Sequence, residues 1–83
     1  MLNNRQVQLS LNYLGFNCGK VDGIIGFRTK SAIKNFKKSF ELTVNSTWTL
    51  EADTKIKDIV RDIQRKIGAT PDGLVGRRNY RQN

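Results

Sequence analysis

A short motif that occurs twice constrains this chain more than any other feature. Residues 21–28 read Val-Asp-Gly-Ile-Ile-Gly-Phe-Arg, and residues 71–78 read Pro-Asp-Gly-Leu-Val-Gly-Arg-Arg. Each copy follows a segment of helical periodicity that carries an aliphatic–glutamine pair, with Gln8 before the first copy and Gln64 before the second. Internal repeats predict a fold built from one unit used more than once. Because only seven residues follow Gly76, we expect one and a half units.

Hydrophobic periodicity predicts an all-α fold of three helices. Apolar residues spaced by three or four positions predict the first helix over residues 4–14 and the second over residues 27–40. The third is predicted to begin after Thr49, a residue type that favours helix N-caps, and to end at Gly68. A chain of 83 residues suits a small three-helix bundle and is too short for a dinucleotide-binding sheet or a β/α barrel.

The repeat also indicates how the chain is divided. We expect a single domain over residues 1–83, with a main unit over residues 1–56 and a partial second unit over residues 57–83. The connection from helix to motif is six residues longer in the first copy than in the second.

The long loop over residues 15–26 holds four glycines and the first copy of the motif. Asp22 followed by glycine signals a turn, because Asp accepts hydrogen bonds from its own downstream backbone and glycine tolerates positive φ. Ile24 and its neighbour are too apolar for a free loop, so we expect them to hold it against the core. Gly26 is the predicted N-cap of the second helix. Thr29 falls in the first turn of that helix, within reach of Asp22 if the loop folds back.

The chain is strongly basic. It carries 15 Lys and Arg against 7 Asp and Glu, a formal net charge of +8. On the second helix, the apolar residues gather on one side, and we expect Lys30, Lys34, Lys37 and Lys38 to form a wholly basic outer face. This charge predicts an anionic partner such as nucleic acid, a membrane surface or an anionic wall polymer.

Missing residue types exclude several kinds of chemistry. The chain has no histidine and a single cysteine, Cys18. It therefore lacks a histidine general base, a Ser-His triad, a histidine ligand for zinc and an internal disulfide. We expect Cys18 to be a free loop thiol, and we expect no catalytic residue, no metal site and no cofactor.

Several motifs of the first two helices occur in a fixed order. They are Val-Gln at residues 7–8, Leu-Asn-Tyr-Leu-Gly-Phe at residues 11–16, the stretch over residues 21–29, Ala-Ile at residues 32–33 and Phe-Lys at residues 36–37. Together they resemble the peptidoglycan-binding domain family, the three-helix cell-wall-binding modules of phage endolysins and bacterial autolysins. The resemblance covers residues 1–56 and is specific, since many positions agree in order and spacing.

Two positions depart from the pattern of that family. Phe27 stands where the family usually has proline, which preorganises a helix start. Residues 45–48, Asn-Ser-Thr-Trp, stand where the family often has a second Asp-Gly loop. The copy at Asp72 resembles the short-loop form of the family.

The resemblance implies a non-catalytic module that binds bacterial peptidoglycan and holds an attached catalytic domain at the wall. The expected groove lies between the end of the first helix, the long loop and the start of the second helix. There, aromatic rings would stack on sugars and polar side chains would bind glycan or stem-peptide carboxylates, while the lysine face would attract anionic wall polymers. The residues expected to contact the ligand are Tyr13, Phe16, Asn17, Lys20, Asp22, Gly23, Ile24, Gly26, Arg28, Thr29 and Trp48.

The alternative function is a basic helical nucleic-acid-binding protein, with the lysine face along phosphates. A helix-turn-helix joins its helices by three or four residues, whereas the loop here has 12, so the sequence disfavours this alternative. A hydrolase is disfavoured as well. It needs two carboxylates in a shared cleft, and no spacing of Asp and Glu in this chain indicates such a pair.

The N-terminus has no apolar signal core, and no apolar run approaches the ~20 residues of a membrane span. We therefore expect synthesis in the cytoplasm and no membrane partner. The place of action is expected to be the bacterial cell wall, after release or as part of a longer exported protein.

Overall fold

The computed structural model describes residues 1–75, which form three helices. α1 spans Asn4–Tyr13, α2 spans Phe27–Ser39 and α3 spans Leu50–Ile67. Residues 1–75 contain no strand. The all-α prediction is confirmed, and each predicted helix boundary lies within one residue of the observed one. Within the same residues, no helix is both long and apolar enough to cross a membrane.

Three predicted cap residues stand at the helix ends. The Thr49 hydroxyl accepts a hydrogen bond from the backbone N–H of Ala52 at 3.3 Å and so caps α3. Gly26 is the N-cap of α2, where it supplies no side-chain bond. Gly68 ends α3 with a φ of +81°, a conformation that disfavours residues with a Cβ. These local signals, together with periodicity, explain why the predicted helix boundaries agree so closely with the observed ones.

One apolar core joins the three helices. Its buried members are Val7, Leu11, Cys18, Ala32, Ile33, Phe36, Ala52, Ile56, Val60 and Val75. The ring of Phe36 is surrounded by other rings, with centroid distances of 5.7 Å to Phe16, 5.2 Å to Phe40 and 5.7 Å to Trp48. The core therefore takes side chains from both loops as well as from the helices.

Asp53 ties the N-terminus and the second loop to α3. Its Oδ1 accepts the backbone N–H of Leu2 at 2.8 Å and the indole N–H of Trp48 at 2.9 Å. Its Oδ2 lies 3.1 Å from the ammonium of Lys57. Burial opposes ionisation of Asp53, but the bonds from Trp48, Leu2 and Lys57 outweigh it and lower the pKa of the carboxyl group. The buried charge is therefore paired, as a buried carboxylate requires.

One of the four lysines predicted to form the basic outer face of α2 is not exposed. The other three lysines are exposed, but Lys37 is only 1% exposed. The second loop folds over the end of α2, where the Lys37 ammonium donates to Asn45 Oδ1 at 2.6 Å and to the backbone carbonyl of Thr47. Burial lowers the pKa of Lys37, against a smaller opposite effect of Glu51. Helical periodicity could not reveal that a loop covers this side of the helix.

Cys18 is a free thiol, as expected, but it is buried in the core instead of lying on an exposed loop. Burial raises its pKa to about 11, although the hydrogen bond with Thr29 and the charge of Arg28 act in the opposite direction. The long loop is therefore anchored to the core by this side chain.

Residues 69–75 fold back onto α3. Val75 is buried in the core, and Gly73 is buried beside the helix. A Cβ on Gly73 would lie 3.3 Å from the carbonyl oxygen of Lys57, so this loop crosses α3 at close range. The remainder of the predicted second unit, residues 76–83, lies outside the described residues. α3 runs through the predicted division at residue 56 without a break, and that division stays a prediction.

Candidate functional site

Gln8 fastens the long loop to α1 through both atoms of its amide. Its Oε1 accepts the backbone N–H groups of Asp22 at 3.1 Å and Gly23 at 2.8 Å. Its Nε2 faces three acceptors, the Asp22 carboxylate at 3.1 Å, the Ile24 carbonyl at 2.9 Å and the Thr29 hydroxyl at 3.1 Å. Asp22 and Thr29 therefore meet at the amide of the buried Gln8. We call this arrangement the Gln8 clamp and the loop it holds the Asp22 loop.

Gln64 makes the same arrangement with the second copy of the motif, here called the Asp72 loop. Its Oε1 accepts the N–H of Gly73 at 2.9 Å, and its Nε2 donates to the Asp72 carboxylate at 3.1 Å and to the Leu74 carbonyl at 2.9 Å. In both loops the Asp Oδ1 also accepts the N–H group two residues further on, at 2.9 Å. The repeated motif is therefore a repeated polar clamp.

Lys37 forms a third clamp of different composition. It binds Asn45 and the carbonyl of Thr47, and Asn45 Oδ1 accepts the Thr47 N–H at 3.1 Å, the same two-residue step as in the Asp loops. Sequence reasoning missed this clamp because Lys and Asn replace Gln and Asp. The signal that could have found it is the spacing, since eight residues separate Lys37 from Asn45 and also Gln64 from Asp72.

A surface pocket of about 350 Å³ borders the Asp22 loop. Its lining residues are Cys18, Lys20, Asp22, Ile24, Gly26, Phe27, Arg28 and Thr29. Two apolar side chains on this lining are largely in solvent, with Ile24 67% exposed and Phe27 86% exposed. The prediction that Ile24 holds the loop against the core is therefore wrong, and its neighbour Ile25 makes that contact instead. The Asp22 pocket thus joins the long loop to the first turn of α2, at one end of the predicted groove.

The charged groups of the Asp22 pocket are held close to the backbone. Arg28 lies against the loop, since a Cβ on Gly19 would come within 3.2 Å of its Nη1. Hydrogen bonds from the Ile24 N–H and the Gln8 amide lower the pKa of Asp22, so its carboxylate is ionised at neutral pH. With the exposed Lys20, the pocket presents two cations and one anion beside an apolar edge.

Of the eleven predicted ligand residues, six line the Asp22 pocket. They are Lys20, Asp22, Ile24, Gly26, Arg28 and Thr29. Gly23 lies in the same loop, with its N–H bound to Gln8. Asn17 is exposed, and its side-chain oxygen accepts the Gly19 N–H at 2.8 Å. The structure therefore brings together the charged members of the predicted set, whose contact with a ligand stays a prediction.

The three predicted aromatic residues lie away from the pocket lining. Phe16 packs edge-on against Phe36, and Trp48 is held by Asp53. Tyr13 is half-buried against the core. Phe27 is the aromatic residue that does line the pocket, and sequence reasoning did not select it. Its place directly after the N-cap, off the apolar side of α2, was the available signal.

A second groove, of about 500 Å³, runs between the second loop and α3. Its lining residues are Leu42, Leu50, Glu51, Thr54, Lys55 and Asp58. None of the predicted ligand residues lines it. Within residues 1–75, no group of three or more His, Cys, Asp or Glu side chains is placed to hold a metal ion.

Residues 3–51 match the family model described as putative peptidoglycan binding domain. The match includes α1, the Asp22 loop, α2 and the start of α3. Over 40 residues the chain is 45% identical to a spore cortex-lytic enzyme of Bacillus cereus and 40% identical to one of Oceanobacillus iheyensis. Those 40 residues are 48% of this chain but only 15% and 14% of the two relatives. No solved structure matches the chain.

Proposed function

The chain belongs to the putative peptidoglycan binding domain family, and we propose that it is a non-catalytic module that binds bacterial peptidoglycan. The observation that carries this proposal is the family match over residues 3–51, which includes every residue of the Asp22 pocket. The similar relatives are named as enzymes that lyse the spore cortex, and the matched stretch is a small part of each. We therefore also propose that the module serves a lytic catalytic domain attached to it, as in an autolysin or endolysin.

The Asp22 pocket is the proposed ligand site because it carries exposed charged and apolar side chains on a fixed frame. Lys20 and Arg28 can pair with the carboxylates of peptidoglycan, since charge-assisted bonds to carboxylate are strong. The Gln8 clamp orders the loop before any ligand arrives. Binding then avoids much of the entropy cost of ordering a loop.

The composition of the pocket suits binding better than hydrolysis. A glycosidase places two carboxylates on either side of the scissile bond, whereas the lining of this pocket includes one, from Asp22. The Oδ1 of that carboxylate already accepts bonds from Gln8 and Ile24. A bound module would instead raise the concentration of wall substrate seen by an attached enzyme.

The exposed lysines of α2 provide a second, less specific attraction. Lys30, Lys34 and Lys38 remain on its outer face, where they would draw the module towards anionic wall polymers. Salt screens such long-range attraction. The nucleic-acid alternative relies on the same lysines, and the buried Lys37 cannot contribute to it. Binding through the lysines should therefore weaken with added salt more than binding through the pocket.

Co-sedimentation with insoluble peptidoglycan stripped of anionic polymers tests the proposal. The wild-type chain and a variant with Lys30→Gln, Lys34→Gln and Lys38→Gln are compared at physiological salt and at severalfold higher salt, beside a duplex DNA binding assay. We expect both proteins to be retained on the wall at both salt concentrations, because the pocket is intact in both. Loss of wall binding at high salt and in the lysine variant, with DNA bound equally well by the wild type, would overturn the proposal.

A further inference from the structure

We propose that Phe27 and Ile24 form a platform for the apolar face of a sugar ring of the glycan strand, and that Arg28 binds a carboxylate carried by the same saccharide unit. The inference rests on the proposed function and names the part of peptidoglycan that the Asp22 pocket takes. Three observations support the inference. Two apolar side chains of the pocket are exposed, cations lie beside them, and the first two residues of α3 carry an acid where α2 has a cation.

The apolar edge of the pocket consists of two side chains, one from the loop and one from the helix. Ile24 and Phe27 are three residues apart, both largely exposed, and both line the pocket. The core does not use the ring of Phe27, which lies outside the cluster of packed hydrophobic residues. A single exposed apolar residue is ordinary in a soluble protein. Two that border one pocket offer an apolar surface, including one aromatic ring, to the C–H face of a sugar.

The cationic part of the pocket adjoins that edge. Arg28 follows Phe27 directly and lies against Gly19, and Lys20 is the next residue of the loop. A guanidinium binds a carboxylate through two parallel hydrogen bonds. A neutral sugar would form no charge-assisted bond with this guanidinium, and a free peptide would lack a ring whose C–H face could stack on Phe27. A sugar ring with a carboxylate on its own substituent or on its attached peptide satisfies both.

The start of α3 offers a matched comparison within the chain. Leu50 is the first residue of α3, as Phe27 is the first residue of α2. It is 69% exposed and lines the second groove. The next residue is Glu51, where α2 has Arg28. The second groove also contains Lys55, but beside two acids, Glu51 and Asp58. An acid directly after the apolar residue would repel a carboxylate, so of the two helices only α2 places a cation at that position.

The test compares Phe27→Ala with Leu50→Ala, each of which shortens an exposed apolar side chain at the first position of a helix. Binding is measured by NMR titration with three soluble probes: a disaccharide-peptide fragment, the peptide-free disaccharide with its free carboxylate, and the free stem peptide. We expect Phe27→Ala to weaken binding of the two saccharide probes by about tenfold, the order of one aromatic contact. The loss should persist at high salt, and Leu50→Ala should bind like the wild type. Phe27→Trp should restore binding.

The carboxylate contact is tested by Arg28→Gln, with Arg65→Gln on α3 as its control. We expect Arg28→Gln to weaken saccharide binding more at low salt than at high salt, because screening reduces the attraction of the charges. The stem peptide is attached through the carboxyl group of the sugar substituent, so a loss confined to the peptide-free disaccharide identifies that carboxylate. A loss with both saccharide probes shows that Arg28 accepts either carboxylate. A loss seen only with the disaccharide-peptide fragment identifies a carboxylate of the attached peptide.

Unchanged saccharide binding by Phe27→Ala, in a variant that unfolds at the wild-type temperature, would overturn the platform. Weakening confined to the free stem peptide would overturn the assignment to glycan, as would a wild-type chain that binds neither saccharide probe but sediments with the stripped wall. In each of these cases, retention on stripped peptidoglycan keeps the proposed function intact. Failure of the wild-type chain to sediment at all would overturn the proposed function itself.

Discussion

The Asp22 loop and the Asp72 loop share one clamp and differ in what surrounds it. Each loop is held by a buried glutamine. The hydrogen bonds from that glutamine to the Asp carboxylate, to the backbone carbonyl two residues further on and to the glycine N–H agree in length within 0.1 Å between the two loops. The connection into the first loop is six residues longer, and that extra length supplies Cys18 and Lys20 to the pocket. The Asp72 loop instead lies tightly on α3. The comparison teaches that the clamp is a structural device, while the longer connection builds the candidate site.

The Lys37 clamp shows that a loop can be held in the same way without glutamine and aspartate. It performs the same task with a lysine and an asparagine, and the loop it holds ends at Thr49, the N-cap of α3. The geometry of the clamp therefore tolerates a change of residue type. A repeat of the motif in the sequence therefore reveals a clamp, but a clamp can also form without that motif.

Removing the clamp glutamines should have the largest effect and should separate the two loops most clearly. Gln8→Ala leaves the N–H groups of Asp22 and Gly23 without their acceptor, and we expect the free energy of unfolding to fall by about 3 kcal/mol. Gln64→Ala breaks fewer bonds and should cost about 2 kcal/mol. Urea unfolding measures both. Wall retention should fall only in Gln8→Ala, and an equal fall in both variants would contradict the comparison.

The Cys18 anchor belongs to the longer connection and should make its stability depend on pH. The folded thiol has a pKa of about 11 against an ordinary value of 9.0, so the unfolded chain ionises first. The contribution of Cys18 is complete below pH 9 and is lost as the pH rises towards 11, by at most about 3 kcal/mol. The measurement is the difference in unfolding free energy between wild type and Cys18→Ala at pH 7, 9 and 11. A difference that does not change with pH would contradict the burial of the thiol.

Replacing the turn glycines by alanine should affect the two loops differently, because the added Cβ contacts different neighbours in each. Gly23 and Gly73 have φ values of +81° and +78°, so the backbone strain is similar and costs about 1–2 kcal/mol in each. The Cβ on Gly23 would meet the flexible side chain of Arg5, whereas the Cβ on Gly73 would meet the backbone carbonyl of Lys57. We expect Gly73→Ala to lower the melting temperature further than Gly23→Ala. The reverse order would show that the Asp72 loop has room to move away from α3.

Lys37→Gln should have the smallest effect, because it restores the residue type of the other two clamps. It also removes a charge whose burial lowers the pKa of Lys37. We expect the free energy of unfolding at pH 7 to rise by no more than about 1 kcal/mol. Lys37→Ala, which leaves Asn45 and the Thr47 carbonyl without this partner, serves as the control and should be clearly destabilising. If the two variants lost equal stability, the Lys37 clamp would not be equivalent to the glutamine clamps.

The helices and the Asp22 loop could be predicted because their signals are local. Periodicity, cap residues and Asp-Gly pairs act within a few positions of the residues they organise. The exposure of a side chain depends also on how the loops fold over the helices, which periodicity and turn signals do not show. For that reason the sequence predicts an exposed Lys37, which is buried, and a sugar-stacking Trp48, whose indole N–H donates to Asp53, and it does not single out the exposed Phe27.

The clamps also bear on how quickly the chain reaches its native structure. Their partners are 14, 8 and 8 residues apart, so each can close without bringing distant parts of the chain together. Proteins dominated by such local contacts fold in microseconds to milliseconds. The bond from Leu2 to Asp53 spans 51 residues and has to form against a much larger loop-closure entropy. We therefore expect stopped-flow refolding to be rapid and Asp53→Asn to speed unfolding more than it slows folding.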